Sequence, residues 1–193
     1  MPKNDFSRRS ILIVSADQQF DAFVKKAAAG FLTIDLRKSA ALARRCILEK
    51  DYDIVVINAP LPDETGEELA LDIAEGGSSS VLIAVPRDIF EDLSERMIDR
   101  GILVLYTPME SGLLMKSVRF LTAVQGNMQK FQKKLDKMEE KMEELRIVSK
   151  AKVLLVEKKK MTEEESHRYI GKQAMDRGVS RKRVAEGILD ELE

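Results

Sequence analysis

The chain has 193 residues, 44% of them hydrophobic and 34% charged. That excludes a disordered or collagen-like chain and leaves room for one packed domain plus an appendage. A single cysteine, Cys46, excludes an intramolecular disulfide, and the absence of any apolar run of about 18 residues or of a signal-peptide pattern predicts a cytoplasmic protein with no membrane partner.

The net charge of −1 hides an asymmetry. Residues 1–115 carry 13 Lys and Arg against 19 Asp and Glu; residues 116–144 carry 7 against 5, and residues 145–193 carry 12 against 9. A polyanionic partner is therefore expected at the C-terminal end.

Residues 10–15 (SILIVS) form an apolar run suited to a buried strand, and residues 18–29 follow with helical spacing of Phe20, Phe23, Val24 and Ala27. Residues 31–36 are strand-like and 39–50 helical, which places Cys46 on a helix as a small buried residue rather than a nucleophile. Residues 53–58 (DIVVIN) form a second strongly apolar strand, 67–75 a helix and 76–79 a loop. Residues 81–85, 88–100 and 102–106 read as strand, helix and strand. Five strands alternating with helices predict an α/β fold, a doubly wound (βα)5 parallel sheet covered on both faces. Ligands of such sheets lie at the carboxyl ends of the strands, which directs attention to Ser15, Ala16, Asp17, Asn58, Val85, Thr107 and Pro108.

The segment Ile57 to Gly66, INAPLPDETG, resembles the phosphorylation loop of response-regulator receiver domains, and the resemblance extends over residues 10–120. It implies a receiver (flavodoxin-like) fold. Asn58 stands at the position of the phosphoacceptor aspartate, Leu61-Pro62 at an apolar-proline pair and Gly66 at a glycine. The acidic pair that follows the first strand in active receivers is Ser15 and Ala16 here. The Ser/Thr that ends the fourth strand is Val85, and the lysine before a proline after the fifth is Thr107. An amide is a far weaker nucleophile than a carboxylate, and Mg²⁺ takes carboxylate ligands that Ser15 and Ala16 do not supply. The expectation is a pseudo-receiver that is not phosphorylated and holds no metal or cofactor. Two acidic residues could substitute, Asp17 and Asp63; Asp17 is the better fit to a helix N-cap.

Residues 117–160 form a long charged run without proline. Leu121, Val124, Met128, Phe131, Leu135, Met138, Met142 and Leu145 are spaced 3, 4, 3, 4, 3, 4 and 3 apart, an a/d heptad seam. A 3.5-residue repeat keeps one stripe facing a partner helix, so these residues are expected to form a homodimeric coiled coil, with a linker helix packed on its own domain as the alternative. Gly126 is its weak point, at about 1 kcal/mol relative to alanine.

From Leu145 the helix continues with apolar Ile147, Val148, Ala151, Leu154 and Leu155 and ends in Lys158-Lys159-Lys160. Thr162 to Glu165 fits a capping box for a second helix running to Arg177, and Gly178 fits its C-terminal cap. Ser180 caps a third helix carrying Val184, Ala185, Ile188 and Leu189. Ala151-Lys152-x-x-Leu155, the TEEES-x-x-Y start of the second helix, Ala174-Met175-Asp176 and Val184-Ala185 together resemble the ANTAR domain, the RNA-binding antiterminator domain of AmiR- and NasR-type regulators. Val153 and Ser166 depart from residues frequent in that family, glycine and alanine respectively. The resemblance implies binding to hairpins in nascent leader RNA, which prevents the overlapping terminator hairpin from forming.

Candidate RNA contacts are Lys150, Lys152, Arg168, Tyr169, Lys172, Gln173, Arg177, Arg181, Lys182 and Arg183, cations for phosphates and planar groups for bases. Lys152 leads them, Tyr169 is expected in the bundle core, and Arg181-Lys182-Arg183 oppose the dipole at a helix start. His167 is expected to be exposed, and no metal set can be built around it. The organisation expected is thus a pseudo-receiver over 1–115, a coiled-coil dimerisation helix over 116–144 and an ANTAR three-helix bundle over 145–193. The function expected is that of a non-enzymatic antiterminator, with a regulatory sensor protein as a further partner of the pseudo-receiver. A DNA-binding response regulator and a protein-only scaffold are the rivals.

Overall fold

In the computed structural model the described residues are 9–192, and the chain divides into two compact units, Met1–Met128 and Gln129–Glu193. The first unit contains β1 (Ser10–Val14), α1 (Gln18–Ala27), β2 (Thr33–Arg37), α2 (Ala40–Glu49), β3 (Ile54–Asn58), α3 (Glu67–Glu75), β4 (Ser80–Pro86), α4 (Phe90–Ile98) and β5 (Leu103–Thr107). The 49-residue helix α5 (Ser111–Lys159) follows, then α6 (Glu163–Arg177) and α7 (Arg181–Leu192).

All five strands are parallel, in the order β2-β1-β3-β4-β5. This is the doubly wound arrangement expected from the alternating pattern. The chain reverses direction across the sheet between β1 and β3, so a crevice opens beyond their carboxyl ends. Side chains alternate across each strand and feed two cores. Leu12, Val14, Val55, Ile57, Val81, Ile83 and Val85 meet Ala43, Leu69, Ile73, Leu93 and Met97 of α2, α3 and α4. Ile11, Ile13, Ile54, Val56, Leu82 and Ala84 meet Phe20 and Val24 of α1 and Leu114, Val118 and Leu121 of α5.

Leu121 corrects the expected seam. It is 6% exposed inside the sheet core and not available to a partner helix. Gln125 is also buried there: its Nε2 donates to the Ser78 carbonyl at 2.6 Å, and its Oε1 accepts from Ser80 Oγ at 3.1 Å. The start of α5 therefore serves as the last helix of the α/β unit. The remaining seam residues, Val124, Met128, Phe131, Leu135, Met138, Met142 and Leu145, are 37% to 69% exposed, and Phe120, which the heptad spacing omits, joins them at 63%. Gly126 is not merely a weak helical position. A Cβ there would stand 2.9 Å from the Arg9 guanidinium, which pairs with Asp53 at 2.6 Å.

In the second unit, Val148, Ala151 and Leu155 of α5, Ile170 and Ala174 of α6, and Val184, Ala185 and Ile188 of α7 form one small core. Thr162 and Glu165 form the expected capping box, and Gly178 ends α6 in the left-handed region at φ 63°. Ser180 Oγ accepts from the Arg183 backbone N–H at 3.2 Å at the start of α7. No helix among the described residues is long and apolar enough to cross a membrane.

Candidate functional sites

The carboxyl ends of β1, β3, β4 and β5 carry Ser15, Asn58, Val85 and Thr107, as the register requires: Val14 pairs with Ile57, Asn58 with Ala84, and Pro86 with Thr107. Ser15 is fully buried, and its hydroxyl accepts from Asn58 Nδ2 at 3.2 Å and from the Asp17 N–H at 3.1 Å. Thr107 Oγ1 donates to the Val85 carbonyl at 3.2 Å. Ala16 is exposed and adds only a methyl group. The polar groups thus satisfy one another, with an amide and a hydroxyl where two carboxylates would be needed. This donor set does not fit Mg²⁺, which requires octahedral oxygen ligands with at least one or two carboxylates.

The two acidic residues that could substitute have other work. Asp17 caps α1, its Oδ1 accepting from the Gln19 N–H at 2.8 Å. Asp63 reaches from the loop after β3 to the start of α2 and accepts from the N–H groups of Ala40 and Ala41, both at 2.9 Å. Those donors, Ala41 foremost, hold its carboxyl below the ordinary value. Ser39 Oγ takes the next N–H, from Leu42, so two loops share the capping of one helix. Glu64 in the same loop pairs with Arg44, which also pairs with Asp72. Gly66 closes the loop at φ 89°, where a Cβ would stand 3.3 Å from Ile57 Cγ2. Beside the pocket, Asp17, Gln19, Phe20, Phe23, Thr107, Pro108 and Met109 line a cleft of about 350 Å³.

Cys46 is buried, as its helix position predicts, and its sulfur lies 3.0 Å from Tyr52 Oη. That hydroxyl donates to Asp35 Oδ2 at 2.6 Å, and Lys50 Nζ donates to the same oxygen at 3.0 Å. Burial, with the bond to Asp35, pushes the Tyr52 phenol well above its ordinary value.

On the second unit the candidate cations lie on three helices. Lys152 and Lys150, two residues apart, point in different directions around α5. Lys152 donates to Glu163 Oε1 at 2.9 Å, and with Ser149, Val153, Val156, Glu157 and Glu163 lines a cavity of about 290 Å³. The bond from Lys152 holds the Glu163 carboxyl below its ordinary value. Lys150 instead joins Arg146, Ser149, Val153, Leu154 and Leu189 around a larger cavity of about 530 Å³.

On α6, Tyr169, Gln173 and Arg177 follow at i, i+4 and i+8, beside Arg168 and Lys172 at i and i+4. Tyr169 is 38% exposed, not in the core as expected. The buried stripe of α6 is Ser166, Ile170 and Ala174, and a residue one step before Ile170 lies about 100° away from it. Ser166 is fully buried, and its hydroxyl returns a hydrogen bond to the Thr162 carbonyl at 2.9 Å. Arg181, Lys182 and Arg183 form the first turn of α7. Arg168 and Arg183 have distant helical carboxylates, Glu164 at 3.8 Å and Glu186 at 3.7 Å. Among the described residues Lys150, Lys172, Arg177, Arg181 and Lys182 have none. Two participants were missed from the sequence. Glu163 is visible only as a capping-turn residue, and Arg146 follows the last seam position with no motif to mark it.

The family model of the ANTAR domain matches residues 136–189, spanning the end of α5, all of α6 and most of α7. The chain carries an ANTAR domain behind a receiver fold. The transcriptional regulatory protein PdtaR of Mycobacterium tuberculosis is 29% identical over 148 residues, covering 72% of this chain and 68% of that protein. The signal receiver domain of an HD domain-containing protein from Pseudomonas fluorescens superposes with a TM-score of 0.57 at 20% identity, covering 64% of this chain and 93% of that one. A CheY-like receiver domain from Methanospirillum hungatei gives 0.56 at 17%, covering 63% and 99%. These two structures share the fold of the first unit. The ANTAR model begins at residue 136, inside the exposed part of the α5 seam, so the matched domain includes the last heptad positions Met138, Met142 and Leu145.

Proposed function

We propose that this protein is a cytoplasmic, non-enzymatic transcription antiterminator that binds hairpins in nascent leader RNA as a dimer and so keeps the terminator hairpin from forming. The observation that carries the reading is the outward-facing set of cations on the ANTAR bundle, above all Lys172, Arg177, Arg181 and Lys182, together with the exposed Tyr169 on α6. Phosphates are held by such cations, and unstacked loop bases by aromatic or guanidinium planes. The name of the mycobacterial relative, a transcriptional regulatory protein, supports the same reading.

Dimerisation uses the exposed seam from Val124 to Leu145, and two bundles on one dimer engage two hairpins with the gain of effective concentration. The pocket around Ser15 and Asn58 lacks the carboxylates of phosphoryl chemistry. A regulatory sensor protein therefore acts on the pseudo-receiver surface in place of phosphorylation. The boundaries expected at 115/116 and 144/145 shift accordingly: the pseudo-receiver takes in the start of α5 and runs to about Met128, the exposed part of the helix serves dimerisation, and the RNA-binding bundle overlaps its end, since the ANTAR match begins at residue 136. A major-groove reading of α7 is disfavoured because its cations occupy only the first turn and Asp190 and Glu191 close it.

The test is a titration of a hairpin RNA and a duplex DNA of equal length at two salt concentrations. Tighter binding of the RNA, weakening steeply with salt, is the expected result. Equal binding of both, or none, rejects the reading. Lys152→Ala is expected to weaken the RNA complex without changing sedimentation. Glu163→Gln, which releases Lys152 from its ion pair, is expected to strengthen it.

A further inference from the structure

The exposed part of the α5 seam is rich in sulfur. Met128 and Met142 stand at a and Met138 at d, and all three are 61% to 69% exposed. Met97 is buried and Met109, Met115 and Met161 are half-buried, so among the described residues only Met175, on α6, is a methionine as open as these. The single thiol does not compete with them for an oxidant in solution. Cys46 is buried, and its sulfur lies 3.0 Å from Tyr52 Oη. The exposed sulfur of the described residues is therefore gathered largely on one stripe of one helix.

A thioether is oxidised in one two-electron step. Its sulfur lone pair attacks an oxygen of hydrogen peroxide, and the O–O bond breaks as the S–O bond forms. The proton of the transferred oxygen joins the departing hydroxide as water, so sulfur is oxidised and peroxide reduced. The product, a sulfoxide, keeps the length of the side chain but makes it polar. At a and d its neighbours along the seam are Val124, Phe131, Leu135 and Leu145, none of which has a side-chain donor. A buried acceptor without a donor opposes burial, and each sulfoxide counts twice in a pair. Pairing covers these sulfurs, so peroxide takes them in separated chains and then holds those chains apart. Phe131, Leu135 and Leu145 carry no sulfur, so the response belongs to the methionines alone.

We propose that Met128, Met138 and Met142 form an oxidative modification site, and that a peroxide, by converting them to sulfoxides, unpairs α5. This rests on the paired reading above. Sulfoxide reductases return the thioether, so the change is reversible. It gives a chemical input to a chain whose receiver pocket lacks the carboxylates of phosphoryl chemistry, and it acts directly on the helix that joins the two units.

The experiment is sedimentation equilibrium of the full chain before and after hydrogen peroxide, with the mass of each methionine-bearing peptide measured in parallel. The wild type is compared with the triple variant Met128→Leu, Met138→Leu, Met142→Leu. Leucine conserves volume and apolar character but has no sulfur, and Met175 stays in both proteins as a reacting control. Peroxide is expected to add oxygen at the three seam positions and at Met175 ahead of buried Met97, and to weaken wild-type self-association by at least about tenfold. The triple variant is expected to keep its dimer through the same treatment. Recovery of association on adding the two epimer-specific sulfoxide reductases is read on the wild type itself, so the test does not hang on the variant. Seam sulfoxides with association unchanged, equal loss in both proteins, no recovery on reduction, or seam sulfurs that stay reduced while Met175 reacts would each overturn the proposal. A wild type that is monomeric before any peroxide is added would overturn the paired reading and the proposal with it, a failure distinct from the others because it needs no oxidant.

Discussion

At the carboxyl end of the receiver sheet, Asn58 bonds Ser15, Thr107 bonds the Val85 carbonyl, and the two nearest acids cap helices α1 and α2. On the ANTAR bundle, Lys172, Arg177, Arg181 and Lys182 stand on helix surfaces with no carboxylate partner among the described residues. The first region has its polar groups satisfied internally and offers little to an ion. The second keeps its charge available because the small core between the end of α5, α6 and α7 takes only apolar and small side chains. A site's chemistry is thus set less by which polar residues are present than by whether the fold has already given them partners.

The bundle side is tested most severely through its core. Ile170→Ala removes a side chain that is 1% exposed, and the expected cost is about 2–5 kcal/mol. In so small a bundle this lowers the urea midpoint of its unfolding and reduces RNA binding with no cation changed.

On the receiver side, Asp63→Asn weakens the capping of α2. The folded carboxyl titrates below its ordinary value, so its contribution is complete above the ordinary carboxylate range and is lost as pH falls through the lowered value. The urea midpoint of the variant is expected below that of the wild type at neutral pH, and the gap closes in acid. A gap independent of pH would mean that the carboxylate charge is not what caps the helix.

Gly126→Ala gains about 1 kcal/mol of helix propensity at an open position. Here the new methyl would displace the Arg9 guanidinium, so thermal unfolding is expected to show less than that gain. The full gain would show that Arg9 moves aside freely.

The smallest effect expected is from Asn58→Asp, which restores a nucleophilic carboxylate alone. Incubated with Mg²⁺ and a small phosphodonor, it is expected to gain no phosphoryl mass, because Ser15, Ala16, Val85 and Thr107 still supply neither metal ligands nor a cation. A stable adduct would show that the pocket is closer to active than its contacts imply.

Much of this protein was legible in one dimension. The alternation of apolar runs with helical spacing determined the (βα)5 sheet, because strands buried on both faces need continuous apolar sequence and their crossovers need amphipathic helices. The capping residues Asp17, Thr162 and Gly178 marked helix ends because capping is local chemistry. The identities of Asn58, Ser15 and Thr107 were equally visible, since each stands at a strand end. What only the tertiary structure decided were relations between distant segments. The heptad spacing includes Leu121, but the sheet core claims its side chain, and the same pattern omits Phe120, which the fold leaves exposed. Tyr169 reads as a core aromatic until the Ser166-Ile170-Ala174 stripe turns it outward. Lys152 reads as free until Glu163, eleven residues on, folds back beside it. Periodicity states which side chains share a face; which face is covered, and by what, is set by packing between elements far apart in the chain.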